Sequence, residues 1–235
     1  MHDPIGQALR AAALRDRAGV SGRYAIFHGG HECGSERWVM SAEGDGLVIQ
    51  GEQETMAPHP LPSRHEYRAT LDAGGRLQSL DVIWSVAGKR LEATHRADGD
   101  QWRVRIEYGG QTREQHGDYP AVCEVEFPSQ LFHFAILARR DFAEGGEHEF
   151  PVLRIGPPLM AVSPERMLMR CVAARTFMTP RGEVAAKRYV LSLPPREENE
   201  GYSFWADEDG LMLEAYEGVE PEATWMRLVE YHRGG

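Results

Sequence analysis

The clearest alternation of hydrophobic and polar positions lies between His65 and Gln115, and it predicts four strands joined by short glycine turns. Arg68 to Asp72 leads into Ala73-Gly74-Gly75, after which Leu80, Val82, Trp84 and Val86 alternate with Asp81, Ile83 and Ser85. Arg90 to Arg96 follows Ala87-Gly88. Past the turn Asp98-Gly99-Asp100, Trp102, Val104, Ile106 and Tyr108 alternate with Arg103, Arg105 and Glu107. Turns this short join antiparallel neighbours. Such a meander has one wet face and one apolar face, and the apolar face needs a cover, either protein or ligand.

The same reading extends to the rest of the chain. Pro4 to Arg17 predicts a short amphipathic helix with Ile5, Leu9 and Leu14 on one side. Gly22 to His28 predicts a strand, Arg37 to Ser41 its partner, and Leu47 begins another strand after the turn Glu43-Gly44-Asp45-Gly46. Met56 to Ser63 holds Pro58, Pro60 and Pro62, which bars it from a central strand and makes it a connector. Gly117 to Pro128 reads as irregular. Ser129 is placed to cap a helix over Gln130 to Asp141, which is apolar nearly all round and so belongs against the sheet as its cover. A second strand-rich half follows: Phe150–Ile155, Met167–Thr179, Glu183–Pro194, Tyr202–Ala206, Leu211–Tyr216 and Thr224–His232. Between the halves runs a faint echo, Tyr67, Asp72, Gly75 and Leu77 against Tyr202, Asp207, Gly210 and Leu211.

These elements predict a mainly β fold in one domain over residues 1–235. It comprises an N-terminal helical segment at 1–20, a first meander at 22–118, a central helix within 129–142 and a second meander at 149–232. The expected architecture is a large curved antiparallel sheet, a spiral β-roll or half-barrel, with a short N-terminal helix and one central helix.

Charge narrows the partners. The net charge of −10 argues against nucleic acid and anionic membrane surfaces, which call for basic patches. Lys89 and Lys187 are the only lysines, a bias expected of a GC-rich source. No run has the length of a signal-peptide core or a membrane span, so the expectation is a cytoplasmic protein without an integral membrane segment. Cys33, Cys123 and Cys171 are too few and too scattered for a disulfide framework or a zinc cage and are expected as buried free thiols.

Chemistry-bearing motifs are sparse. His28-Gly29-Gly30-His31-Glu32-Cys33 gathers potential metal ligands, yet further ligands cannot be named, and a polar loop accounts for the cluster without a metal. Asp207-Glu208-Asp209-Gly210 opens like a calcium loop but lacks the downstream bidentate glutamate, so an acidic hairpin turn is expected. No nucleophile elbow, phosphate-binding glycine loop or Cys-x-x-Cys occurs, and no cofactor and no catalytic residue is predicted. Trp84, Trp102, Trp205 and Phe132, with Met160, Met167, Met169 and Met178, could line a pocket or form a packed core with methionine as filler.

The order of features resembles that of a glycolipid-binding family of spiral β-roll proteins. The matching features are Gly34-Ser35-Glu36, a hairpin closing at Gly51, and Tyr67 to Asp72 ahead of the meander with Trp102. Val125-Glu126-Phe127-Pro128 leading to Arg139-Arg140, and Asp209-Gly210 before Tyr216-Glu217-Gly218, complete the pattern from Gly22 to Arg233. A more distant similarity is to half-barrel carriers of lipoprotein or lipid in the bacterial periplasm. The resemblance implies a curved sheet around an apolar interior with no assigned catalytic residues. The expected function is non-catalytic binding of a lipid or glycolipid on the concave face, with its acyl chain against Trp84, Trp102, Phe132 and Met169. Two alternatives remain open: an enzyme using His28, His31 and Glu32, or an interaction module forming a homodimer through sheet edges.

Overall fold

The computed structural model describes residues 16–140, 142–192, 202–217 and 223–234. Among the described residues fifteen strands form one sheet. The first eight are β1 (Val20–His28), β2 (His31–Glu43), β3 (Gly46–Thr55), β4 (Ser63–Leu71), β5 (Leu77–Val86), β6 (Lys89–Asp98), β7 (Gln101–Tyr108) and β8 (Gln111–Asp118). Then come β9 (Glu124–Glu126), the helix α1 (Leu131–Arg139), β10 (Glu147–Gly156), β11 (Ala161–Thr179), β12 (Gly182–Ser192), β13 (Tyr202–Asp207), β14 (Met212–Glu217) and β15 (Thr224–Arg233). The predicted N-terminal helix lies outside the described residues, apart from Asp16 and Arg17 in a turn.

The sheet order is β8-β7-β6-β5-β4-β3-β2-β1-β15-β14-β13-β12-β11-β10-β9. Each half is thus a meander, and the two halves meet where β1 pairs with β15, Tyr24 opposite Leu228 and Ile26 opposite Met226. All pairings are antiparallel except β9 with β10. Several predicted boundaries change: β2 begins at His31 and not Arg37, β4 at Ser63 and not Arg68, and β11 at Ala161 and not Met167. The irregular stretch begins only after Asp118, because Gln111–Asp118 forms an edge strand largely exposed on both faces; having little apolar surface to bury, it shows no hydrophobic alternation. The segment before the helix also contains the three-residue strand β9.

The sheet curls, and part of the curl is built from glycine. Gly22 lies opposite Trp38, Gly51 opposite Tyr67, and Gly117 opposite Trp102. A Cβ on Gly22 would stand 2.6 Å from the Trp38 ring, and one on Gly51 would stand 2.3 Å from the Tyr67 hydroxyl. The large rings therefore lie over bare backbone of the facing strand, so the concave face can tighten without steric conflict. Across the roll, His95 on β6 sits 3.2 Å from the Leu80 carbonyl and 3.0 Å from the Met160 carbonyl in the β10–β11 turn. Val162 of β11 donates its amide to Gln115 of β8 at 3.4 Å. These contacts bring the two ends of the sheet toward one another.

The helix α1 packs on the concave side against β9 and β14. Leu131, Phe132, Phe134 and Ile136 are all buried, which explains why its sequence has no polar stripe. The cover of the apolar face is therefore protein in part. The N-cap position falls on Gln130, which has no side-chain cap, one residue beyond the expected Ser129. The Ser129 hydroxyl donates to Glu36 at 2.6 Å while accepting the Leu131 amide at 3.3 Å.

The echo between the halves is a shared turn. Asp72 Oδ1 accepts the amides of Gly74 and Arg76, and Asp207 Oδ1 accepts those of Asp209 and Leu211. In both, a backbone bond closes the turn on the aspartate carbonyl, from Gly75 and from Gly210. Asp207 thus serves a hairpin, as its sequence context indicates, and its other oxygen pairs with Arg181.

Candidate functional site

The concave face, α1 and the proline connector 56–62 enclose a cavity of about 430 Å³. Its apolar wall comes from distant strands: Ile26 of β1, Met226 of β15, Leu191 of β12 and Met167 of β11. Trp84 of β5, Phe127 and Met160 add aromatic and thioether surface. Period-two alternation turns each strand residue inward, and sheet curvature makes the inward positions converge. The rim carries His59, Pro60 and Leu61 of the connector, together with Glu217 and Thr224. Thr55 holds that connector in place by donating to the Leu61 carbonyl at 3.0 Å.

The polar side chains around this cavity are unusually buried. His65 and His133 line it and are 3% and 5% exposed. His133 stacks against both Tyr202 and Phe204, with ring centroids 5.0 and 4.9 Å away. Burial pushes each imidazole down to about 4, so both rings are neutral at physiological pH. The ring of His65 interacts with the Pro128 carbonyl. Its Nε2, like Nδ1 of His133 and Oε1 of Gln53, has no hydrogen-bond partner among the described residues. Glu126, also at the cavity, pairs with Arg154 at 3.3 Å; burial pushes its carboxyl up to about 7 against the pull of that guanidinium. Arg154 also stands 3.9 Å from Glu165.

Beside the cavity a second buried group anchors the helix. Glu36 is fully buried, and its Oε1 accepts from Tyr67 at 2.7 Å and from Ser129 at 2.6 Å. Burial pushes this carboxyl up to about 7; the hydrogen bonds from Ser129 and Tyr67 and a weaker pull from the Gln130 amide oppose the rise without cancelling it. Its Oε2 lacks a partner of hydrogen-bonding geometry.

The expected ligand-binding residues are separated by the structure. Trp84 lines the cavity. Trp102 lines a different void of about 20 Å³ between β5–β7 and β9–β11. Phe132 and Met169 are buried in the core cluster, 2% and 0% exposed. Of the other candidates, Met160 and Met167 line the cavity, while Met178 is exposed near a hairpin tip. Trp205 packs against Phe177 and Arg175, whereas its neighbour Phe204 faces His133. Inward parity can be read from sequence, but which inward residues border empty space depends on the curl.

His28 and His31 face each other across a two-glycine hairpin turn, Gly29 and Gly30 both having positive φ. His28 contacts Thr224 at 3.1 Å, and Glu32 lies 3.8 Å from Arg23. Alternation along β2 places Glu32 on the opposite face of the sheet from His31. Among the described residues no group of three or more His, Cys, Asp or Glu side chains is placed to hold a metal ion. Cys33, Cys123 and Cys171 are free and buried. Sequence reasoning missed Gln53, His65, Glu126 and His133. Each is a single polar residue in an ordinary strand or helix pattern, and the one local signal was the histidine inside an otherwise apolar helix.

No family model matches the chain, and no curated protein matches it. Solved structures do. The β-barrel-like protein of the domain of unknown function DUF1849 from Brucella abortus superposes with a TM-score of 0.58 at 9% identity, covering 93% of this chain and 98% of that one. A DUF1089 family protein from Pseudomonas aeruginosa matches with a TM-score of 0.49 at 18% identity, over 76% of this chain and 87% of that one. The hypothetical lipoprotein YmcC from Escherichia coli matches over the full length of both chains at 10% identity with a TM-score of 0.36. The first of these likenesses establishes a β-barrel-like fold. Among the described residues no helix is long and apolar enough to cross a membrane.

Proposed function

We propose that the protein binds an amphipathic small molecule, a lipid or glycolipid, in the cavity on the concave face, without catalysing its conversion. The observation that carries this reading is a cavity of about 430 Å³ that couples an apolar wall to buried polar atoms lacking partners. Its size falls within the range of small-molecule sites, and mixed lining of this kind suits a ligand with one greasy part and one polar part. The acyl part packs against Trp84, Met160 and Met167, where flexible thioethers adapt to chains of different shape. Trp102, Phe132 and Met169 support the surrounding core. The similarity to half-barrel carriers seen in sequence supports the same reading.

Native mass spectrometry of gently purified protein tests it. The expected result is a bound mass of several hundred daltons, on the order of a single lipid, that organic solvent releases. Trp84→Ala should weaken retention of that mass. A bare polypeptide that also ignores added lipids would refute the proposal.

A further inference from the structure

Carboxylates outnumber guanidinium groups in the cavity lining, Glu126 and Glu217 against Arg154. Gln53 Oε1 and His65 Nε2 are buried and unpartnered. A neutral imidazole has one donor and one acceptor nitrogen, and Nε2 is the His65 nitrogen left open to a ligand. Glu126 and Glu217 add two carboxylates against the one guanidinium of Arg154, whose charge is shared between Glu126 and Glu165. Tyr202 spends its hydroxyl on Gln130. A buried acceptor without a donor costs about 1–3 kcal/mol, so a ligand that supplies the donor gains by filling that deficit.

Resting on the reading of this cavity as a ligand site, we infer that its ligand carries hydrogen-bond donors and no negative charge on the part held by Gln53, His65 and Glu126. Hydroxyl- and amine-bearing amphiphiles meet this requirement. Carboxylate and phosphate heads do not: they bring further acceptors to acceptors, and charge of the same sign to Glu126 and Glu217. Gln53 and His65 become specificity-determining positions, selecting the head while the apolar wall holds the tail.

Binding of three probes with the same twelve-carbon tail, roughly matched in apolar area, separates head from tail: monododecanoylglycerol, dodecylamine and dodecanoate, titrated calorimetrically at about pH 8, where the acid is ionised. Monododecanoylglycerol should bind at least about tenfold more tightly than dodecanoate, the equivalent of one good hydrogen bond. Dodecylamine tells a charged donor from a neutral one. His65→Phe and Gln53→Leu should each reduce the preference for the glycerol head over dodecanoate by about tenfold without weakening dodecanoate. If His65→Phe does not fold, the ranking by the unmodified protein and by Gln53→Leu decides. Equal binding of all three probes, or tighter binding of dodecanoate, would overturn this inference and leave the cavity a lipid site. Binding of none would overturn both.

Discussion

Tyr67 and Tyr202 occupy equivalent positions in the two halves of the sheet, and both direct their hydroxyls at the start of the same helix. Tyr67 meets Ser129 and Glu36, each at 2.7 Å, and Tyr202 donates to Gln130. Each tyrosine begins the strand–turn unit that ends in the matched aspartate turns of Asp72 and Asp207. The helix α1 is thus clamped at its first turn from both meanders, beside a cavity that Pro128, Gln130 and His133 help to line.

The two clamps differ in burial, and so should their removal. Tyr67→Phe strips one of two side-chain donors from a fully buried carboxyl and should cost about 1–3 kcal/mol, the range for leaving a buried group undersatisfied. Tyr202 is only part-buried, and Tyr202→Phe should cost about 0.5–1.5 kcal/mol, since water can reach the freed Gln130 amide. Urea unfolding of both variants gives the ordering; equal losses would argue against a special role for Glu36.

Glu36 should make stability depend on pH in an unusual direction. Its folded carboxyl titrates at about 7, above the unfolded value of 4.5. Between these values the native state holds a proton that the unfolded state has lost, so this group's contribution falls as pH rises and levels off above about 7. His65 and His133, held down to about 4 from 6.5, act oppositely: they favour the fold above 6.5 and cost stability as pH falls toward 4. Glu36→Gln removes the first effect alone. Relative to the unmodified protein it should gain about 2 kcal/mol more at pH 8 than at pH 5. Thermal unfolding at the two pH values measures this, and an equal change at both would show that the carboxyl ionises without penalty.

Gly51 tests the curvature argument. Its missing Cβ leaves room for the Tyr67 ring, which is 4% exposed and fixed through its hydroxyl. Gly51→Ala should therefore cost about 1–3 kcal/mol by overpacking, despite the alanine's better strand propensity. Combined with Tyr67→Ala, which vacates the space, the losses should fall short of additive. A double-mutant cycle by denaturant unfolding reads that coupling.

Much of the fold was legible in the sequence, because a half-buried strand writes its own pattern. Leu80, Val82 and Trp84, or Trp102, Val104 and Ile106, face inward in the structure as their alternation predicts. Glycine turns and the proline connector end the strands where backbone chemistry requires. The apolar sequence of α1 likewise announced a helix buried against the sheet. Where no face is buried the signal vanished, as in β8.

Local sequence therefore determined the strands, the inward residues and the presence of a covering helix. Tertiary structure alone decided that β1 pairs with β15, that Glu36, Tyr67 and Ser129 meet, and that Trp84 borders the large cavity while Trp102, Phe132 and Met169 do not. The reason is physical. Alternation is set by neighbours along one strand, whereas pairing of distant strands and the position of empty space follow from how the whole sheet curls, which no short stretch of chain encodes.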